Sequence, residues 1–310
     1  MPEPTPNSDG TAGLPGPIAT LWSRLASRSA SKRALLLMLP LLAFELLIFV
    51  IPFVILLRIS VAGSSTDTAY AEGTWSLEAY REVFASDVLW NVITYSFQLG
   101  LIVTVLAVLI GFFYAYAIWR TSGVRKSLLL FSVVLPLLTT LVIRTYAFRP
   151  LLSPTGTLNE ALLSLGLLSE PIQFVPATVG AVVGQLYIVL PYAVLAIYSV
   201  MATTDWHVVE AARDLGASRP RSVLEVVVPQ VMPGIIVATV ISFAWSAGAY
   251  AAPDLLSNGI TFAMHVEELI LSDVRYPVAA ALAVVMLGLM LATIGLIYAV
   301  LGRFGGDVDA

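Results

Sequence analysis

Residues 202–230 read ATTDWHVVEAARDLGASRPRSVLEVVVPQ, and their types and spacing suit docking rather than bond-making. Asp205 can cap a helix start, Glu210 to Leu215 are good helix formers, Gly216 can supply a left-handed stop, and Pro220 prevents continuation. A short helix with a turn after it is expected. Ala211, Ala212 and Gly216 are small, so another protein could approach that helix closely, while Arg213, Arg219 and Arg221 surround it with positive charge. Val223 to Val228 form a second apolar stretch, closed by Pro229 and Pro233. His207 and Glu210 make an HxxE spacing, but two groups are no metal site, and a solvated loop histidine is the plainer reading.

Little else in the chain offers catalysis. Cysteine is absent and there are two histidines, His207 and His265, so disulfides, thiolate metal sites and cysteine nucleophiles are excluded. No HExxH, GxxxxGK[ST] or GxSxG pattern occurs. Whatever energy source the protein uses is not bound by a motif of its own. No nucleophile with a base and no ligand cluster stands at membrane depth, which argues against an intramembrane hydrolase or transferase.

The elements that must position this loop are membrane spans. Of 310 residues, 58% are hydrophobic and 12% charged, against about 45–50% and 25% in soluble domains. Both a soluble domain and a disordered chain are excluded. Six apolar runs can cross a hydrocarbon core of about 30 Å, which takes about 20 helical residues: about 34–59, 89–119, 127–148, 176–201, 231–253 and 277–302. Gly111, Gly184, Gly248, Gly288 and Gly295 within them allow close helix contacts. Residues 1–33 read as a disordered arm with a basic edge, and 303–310 as a tail.

With the N-terminus inside, eleven of the sixteen Lys and Arg residues fall in cytoplasmic segments, which places both termini and the 202–230 loop in the cytoplasm. Acids such as Glu82, Glu160, Glu267 and Glu268 fall outside. Arg144 and Arg149, near the outer end of the third run, are expected to snorkel or to pair with a loop acid such as Glu160. No clustered basic face suggests nucleic acid.

Glu210-Ala211-Ala212, three residues, Gly216, nine residues, then Val226-Val227-Val228-Pro229 resembles the EAA motif of permease subunits of bacterial binding-protein-dependent ABC importers. Val226 and Val228 stand where Ile and Leu are usual. Leu135-Pro136, Val142 to Phe148, Gly156-Thr157-Leu158-Asn159, Leu165-Gly166-Leu167 and Pro253-Asp254-Leu255-Leu256 resemble the spermidine/putrescine subgroup. The resemblance covers nearly all the chain after residue 34. It implies an all-α, six-span type I permease of the inner membrane, with no enzyme activity of its own. It implies as partners a second, paralogous permease, two ATPase subunits carrying ATP and Mg, and a periplasmic solute-binding protein; no cofactor is expected on this chain.

In that family the loop forms a coupling helix seated in a cleft of the ATPase. Glu210 would be its charged anchor, Ala211 and Ala212 its close-packing surface with Arg213 beside them, Gly216 its turn, and Pro229 the start of the connection to span five. The resemblance also implies a pathway near Gln185, Tyr187, Trp245, Tyr250 and Asp254, where Asp254 could attract an ammonium group and the rings offer cation–π contacts. Tyr and Trp near span ends also form interface belts, so both readings stand. The subgroup contains relatives for other small solutes, among them amino acid derivatives, phosphonates and other amines. An ion-coupled secondary transporter is the competing class, but spans two, four and six lack the ionisable groups it would use.

Overall fold

Inside a bilayer the backbone has no water to bond, so each span must satisfy its own N–H and C=O groups, and apolar runs become helices. The computed structural model describes residues 38–65 and 68–303, and every named element among them is helical. Two units divide the chain at Leu56 and Leu57. Of the first, the described part belongs to helix α1, Met38–Ser60, which runs 23 residues at a mean hydropathy of 2.7. A π-turn, Leu46–Val50, loosens it next to Pro52, whose missing N–H cannot extend an α ladder. The arm at 1–33 and the tail beyond Arg303 lie outside the described residues.

In the second unit, α2 (Glu78–Ala85) precedes α3 (Asp87–Arg120), a 34-residue helix whose start is capped by the Ser86 hydroxyl accepting from Leu89 N. There follow α4 (Gly123–Leu138), α5 (Leu141–Tyr146), α6 (Phe148–Leu152), α7 (Thr157–Ser164) and α8 (Thr178–Met201). The 202–230 loop supplies α9 (Trp206–Asp214) and α10 (Arg219–Gln230). Helices α11 (Met232–Ala247), α12 (Ala251–Leu256), α13 (Phe262–Leu271) and α14 (Tyr276–Leu301) complete the chain. Four helices (α1, α3, α8, α14) are long and apolar enough to cross a membrane, or up to six if each of two bent pairs counts as one span.

The bent pairs differ from the continuous spans expected at 127–148 and 231–253. The first breaks between Leu138 and Leu141 with a 107° bend. Pro136 removes a donor there, and the carbonyl of Thr139 is taken by Arg144 Nη2 at 2.8 Å. Arg144 therefore does not snorkel or meet Glu160: it is buried, and no carboxylate among the described residues lies within ion-pair distance. The second pair bends by 73° at Val231. The helix of that span then stops at Ala247, and α12 starts afresh at Ala251.

Helices α3, α8 and α11 pack on one another along their lengths and hold the main core. Leu99, Val103, Ala107 and Ala115 of α3 meet Ile188, Val189, Ala193 and Ile197 of α8 and Ala238 of α11. Without a hydrophobic drive in lipid, such contacts depend on close approach by small residues. Gly234 of α11 is the clearest case, since a Cβ there would sit 2.8 Å from Ala196 O. Gly111 and Gly184 pack as expected, whereas Gly288 and Gly295 face open space. A second cluster joins α2, α11, α13 and α14 through Val83, Phe243, Leu269 and Leu282. Arg275, just before α14, pairs with Glu82 of α2.

Asn159 explains the Gly156-Thr157-Leu158-Asn159 segment. Its fully buried amide donates to Ser153 O at 3.0 Å and to Ile172 O at 2.8 Å, and accepts from Ile172 N at 2.9 Å. One side chain thus closes the loop on both sides of α7. Three substitutions test the packing and this closure. Gly234→Ala should cost about 1–3 kcal/mol through overpacking and lower the thermal midpoint in detergent, while Gly288→Ala leaves it unchanged or raises it. Asn159→Ala should expose residues 153–172 to protease, because it removes three hydrogen bonds to part-buried backbone groups at a cost of about 1–3 kcal/mol.

Candidate functional site

Two sets of side chains are expected to work, one within the 202–230 loop and one on the flanking helices α8 and α11 or just beyond α11. Helix α9 begins as expected, with Asp205 Oδ1 accepting from His207 N at 3.0 Å. It ends at Gly216, whose φ of +94° is the left-handed conformation that glycine alone enters without strain. Gly216 N bonds Arg213 O at 2.9 Å and Ala217 N bonds Ala212 O at 3.1 Å, which closes the helix on itself. Pro220 opens α10 rather than only ending α9, because a first-turn proline lacks an N–H that would be unpaired anyway.

What fastens α9 to the bundle is Trp206. Its ring meets Trp119 edge-on at 5.0 Å and lies under the Arg120 guanidinium at 3.6 Å, both at the end of α3. Val209 is buried in the same core as Met201, Val227 and Val231. Glu210 reaches back along its own helix, accepting from Trp206 Nε1 at 2.8 Å and lying 3.2 Å from His207 Nδ1. It remains exposed, as do Ala211 and Arg213, while Ala212 is half-buried. Leu215, an apolar residue 90% exposed, stands beside them. Pro229 lies exposed in the last turn of α10.

The second set divides. Gln185 is buried, and its Nε2 donates to Trp245 O at 3.2 Å, tying α8 to α11. Seven residues on, Tyr192 shares that helix face and stacks its ring on Trp245 at 5.6 Å. Sequence reasoning missed Tyr192, although the seven-residue spacing from Gln185 could have found it. Tyr187 is exposed and packs edge-on against Phe148 at 5.2 Å. Tyr250 and Asp254 come together in a pocket of about 330 Å³, which α13 completes with Met264, Glu267 and Glu268. Tyr250, at the start of α12, and Glu267, on α13, thus face one pocket. Glu267 was legible only as one of several outer acids, and nothing in its spacing pointed to Tyr250.

These features define the class: a helical protein with several helices of membrane-spanning length and apolarity, and with a capped helix, a glycine turn and a second helix between α8 and α11. Residues 107–304 match the family described as binding-protein-dependent transport system inner membrane component. The chain belongs to that family, so it is an integral, multi-pass inner-membrane protein and a permease subunit of an ABC importer rather than an enzyme. It is 33% identical over 220 residues to the spermidine/putrescine transport system permease protein PotB of Haemophilus influenzae, covering 69% of this chain and 75% of that protein. PotB of Escherichia coli K12 is 29% identical over 248 residues, covering 77% of this chain and 90% of that protein. A bacterial alginate ABC transporter, solved in complex with an alginate pentasaccharide-bound periplasmic protein, shares the fold with a TM-score of 0.73 at 17% identity. That likeness covers 93% of this chain and 99% of the solved one.

Trp206→Ala should therefore free α9 without unfolding the spans. Losing a cation–π and an aromatic contact costs about 1–3 kcal/mol. The expected outcome is faster proteolytic cutting within 202–218 at unchanged helical content by circular dichroism.

Proposed function

We propose that this chain is one of two permeases in an importer that carries a polyamine such as spermidine or putrescine into the cytoplasm. The observation that carries the substrate is the match to PotB over most of both chains. The pocket formed by Tyr250, Asp254, Glu267 and Glu268 supports it, since three carboxylates and a ring suit a multiply charged ammonium chain. The chain crosses the membrane six times, with each bent pair counted as one span, and both termini lie in the cytoplasm. The permease domain occupies 34–302, and the 202–230 loop faces the ATPase.

In this reading α9 is the coupling helix. ATP, with Mg, is bound and hydrolysed by two partner ATPase subunits, and their closure pushes on α9. Glu210, Ala211, Ala212, Arg213 and Leu215 form its docking face, Gly216 its turn, and Pro229 the joint towards α11. Because Trp206 fixes α9 to α3, and α9 and α10 connect α8 to α11, the push reaches the three core helices together. Trp245, Tyr192, Tyr187, Tyr250 and Asp254 line the route between the two permeases, with Gln185 holding the Trp245 backbone. The periplasmic binding protein delivers solute at the outer loops 60–88 and 150–175, next to α7.

The test is ATP hydrolysis by the reconstituted complex with its cognate binding protein, across putrescine, spermidine, other amines, amino acids and phosphonates. Stimulation by polyamines alone is the expected result; stimulation by another solute replaces the substrate, and absence of any ATPase association removes the reading. Asp254→Asn should raise the loaded binding protein needed for half-maximal stimulation roughly two- to fivefold, the worth of an exposed charge contact. Glu210→Ala and Gly216→Val should reduce co-purification of the ATPase while membrane insertion stays normal.

A further inference from the structure

A groove of about 710 Å³ runs between the last turns of α3 and the hairpin of α10 and α11. Its floor is apolar, with Leu109 and Phe112 from α3, Leu224 and Val228 from α10, and Ile235 from α11. Its rim is cationic, with Arg120, Arg213 and Arg219. None of these three has a carboxylate within ion-pair distance among the described residues, and Arg120 lies over the Trp206 ring instead. The charge stands at one end only. From Val108 to Arg120 the groove follows twelve residues of α3, about 18 Å of helix, close to the half-thickness of about 15 Å of a hydrocarbon core.

We propose that this groove seats an anionic phospholipid of the cytoplasmic leaflet, one acyl chain along Phe112 and Leu109 and the phosphate between Arg120 and Arg219. The inference rests on the cytoplasmic placement of the 202–230 loop given above. Each other occupant conflicts with the charge or the depth. A second permease is subject to the same cytoplasmic excess of Lys and Arg, so it would bring like charge to this rim. A water-soluble ATPase subunit can reach the rim but not a floor at hydrocarbon depth. An anionic lipid offers a phosphate for the arginines and a chain for the floor at the same time. The groove walls belong to α3, α9, α10 and α11, so the lipid would brace the coupling helix against the core.

The test uses the complete importer complex, purified in detergent and exchanged with equal phosphatidylglycerol and phosphatidylethanolamine of matched chains, with retained lipid counted by native mass spectrometry. The expected result is selective retention of phosphatidylglycerol. Arg120→Gln with Arg219→Gln should weaken that retention roughly thirtyfold, about fivefold for each of the two arginines, whereas Arg125→Gln with Lys126→Gln changes it little. Leu109→Trp, which fills the floor and keeps every arginine, should also expel the lipid. Equal retention of both lipids by the unsubstituted complex overturns the proposal, as does equal loss in the two charge variants or full retention in Leu109→Trp. If the arginine pair fails to assemble, the Leu109→Trp result decides alone. A complex stimulated by polyamine but without lipid selectivity removes this site and leaves the substrate reading intact; the converse result removes only the substrate.

Discussion

A polar group inside this bundle has no water to fall back on, and the fold is arranged around meeting that demand from within. Where the third run breaks, the freed carbonyl of Thr139 takes a bond from Arg144. Where α8 meets α11, the Gln185 amide finds the Trp245 carbonyl. Hydroxyls of Ser96, Thr104 and Thr239 turn back on the carbonyls of Val92, Gly100 and Ile235, four residues earlier. Ser96 also receives Phe262 N at 2.8 Å, so one hydroxyl both satisfies its own helix and anchors the start of α13. The same demand is met at the second break, where Ala249 is buried and its carbonyl accepts from the Thr261 hydroxyl at 2.9 Å.

Much of this was legible because hydrophobicity over 20 residues is a collective signal. The limits of α3, α8 and α14 fall within two residues of the runs at 89–119, 176–201 and 277–302; Ser86 and Arg120 mark the ends of α3, and Arg275 the start of α14. The breaks were not legible in the same way. Pro136 marked a bend, but its size depends on where Arg144 and the following helix pack, and that is tertiary information. Nor could the sequence separate the spacing glycines: Gly111 and Gly184 meet a neighbour, Gly288 and Gly295 do not, and each looks alike in an apolar run.

The loop was read more closely than the pathway, for a physical reason. Asp205, Gly216 and Pro220 act through their own backbone neighbours, so their roles are written locally. Trp206 was passed over because its value lies in meeting Trp119 and Arg120, nearly ninety residues earlier. Tyr192 and Glu267 are similar: each works by contact with a residue on another element. Gln185 was legible as an uncommon polar residue in a span, but its amide is occupied by the Trp245 backbone, so it acts as a brace.

The bend at Val231 gives α11 the geometry of a lever. Its fulcrum adjoins the loop, and its far end, sixteen residues on, leads through a two-residue break to the ring of Tyr250. Sixteen residues span about 24 Å, so a swing of about 10° at the fulcrum displaces the far end by about 4 Å. That exceeds the width of a methylene group. A small angular change beside the loop is therefore enough to shift the far end of α11 by the width of a side chain, with no helix melting along the way.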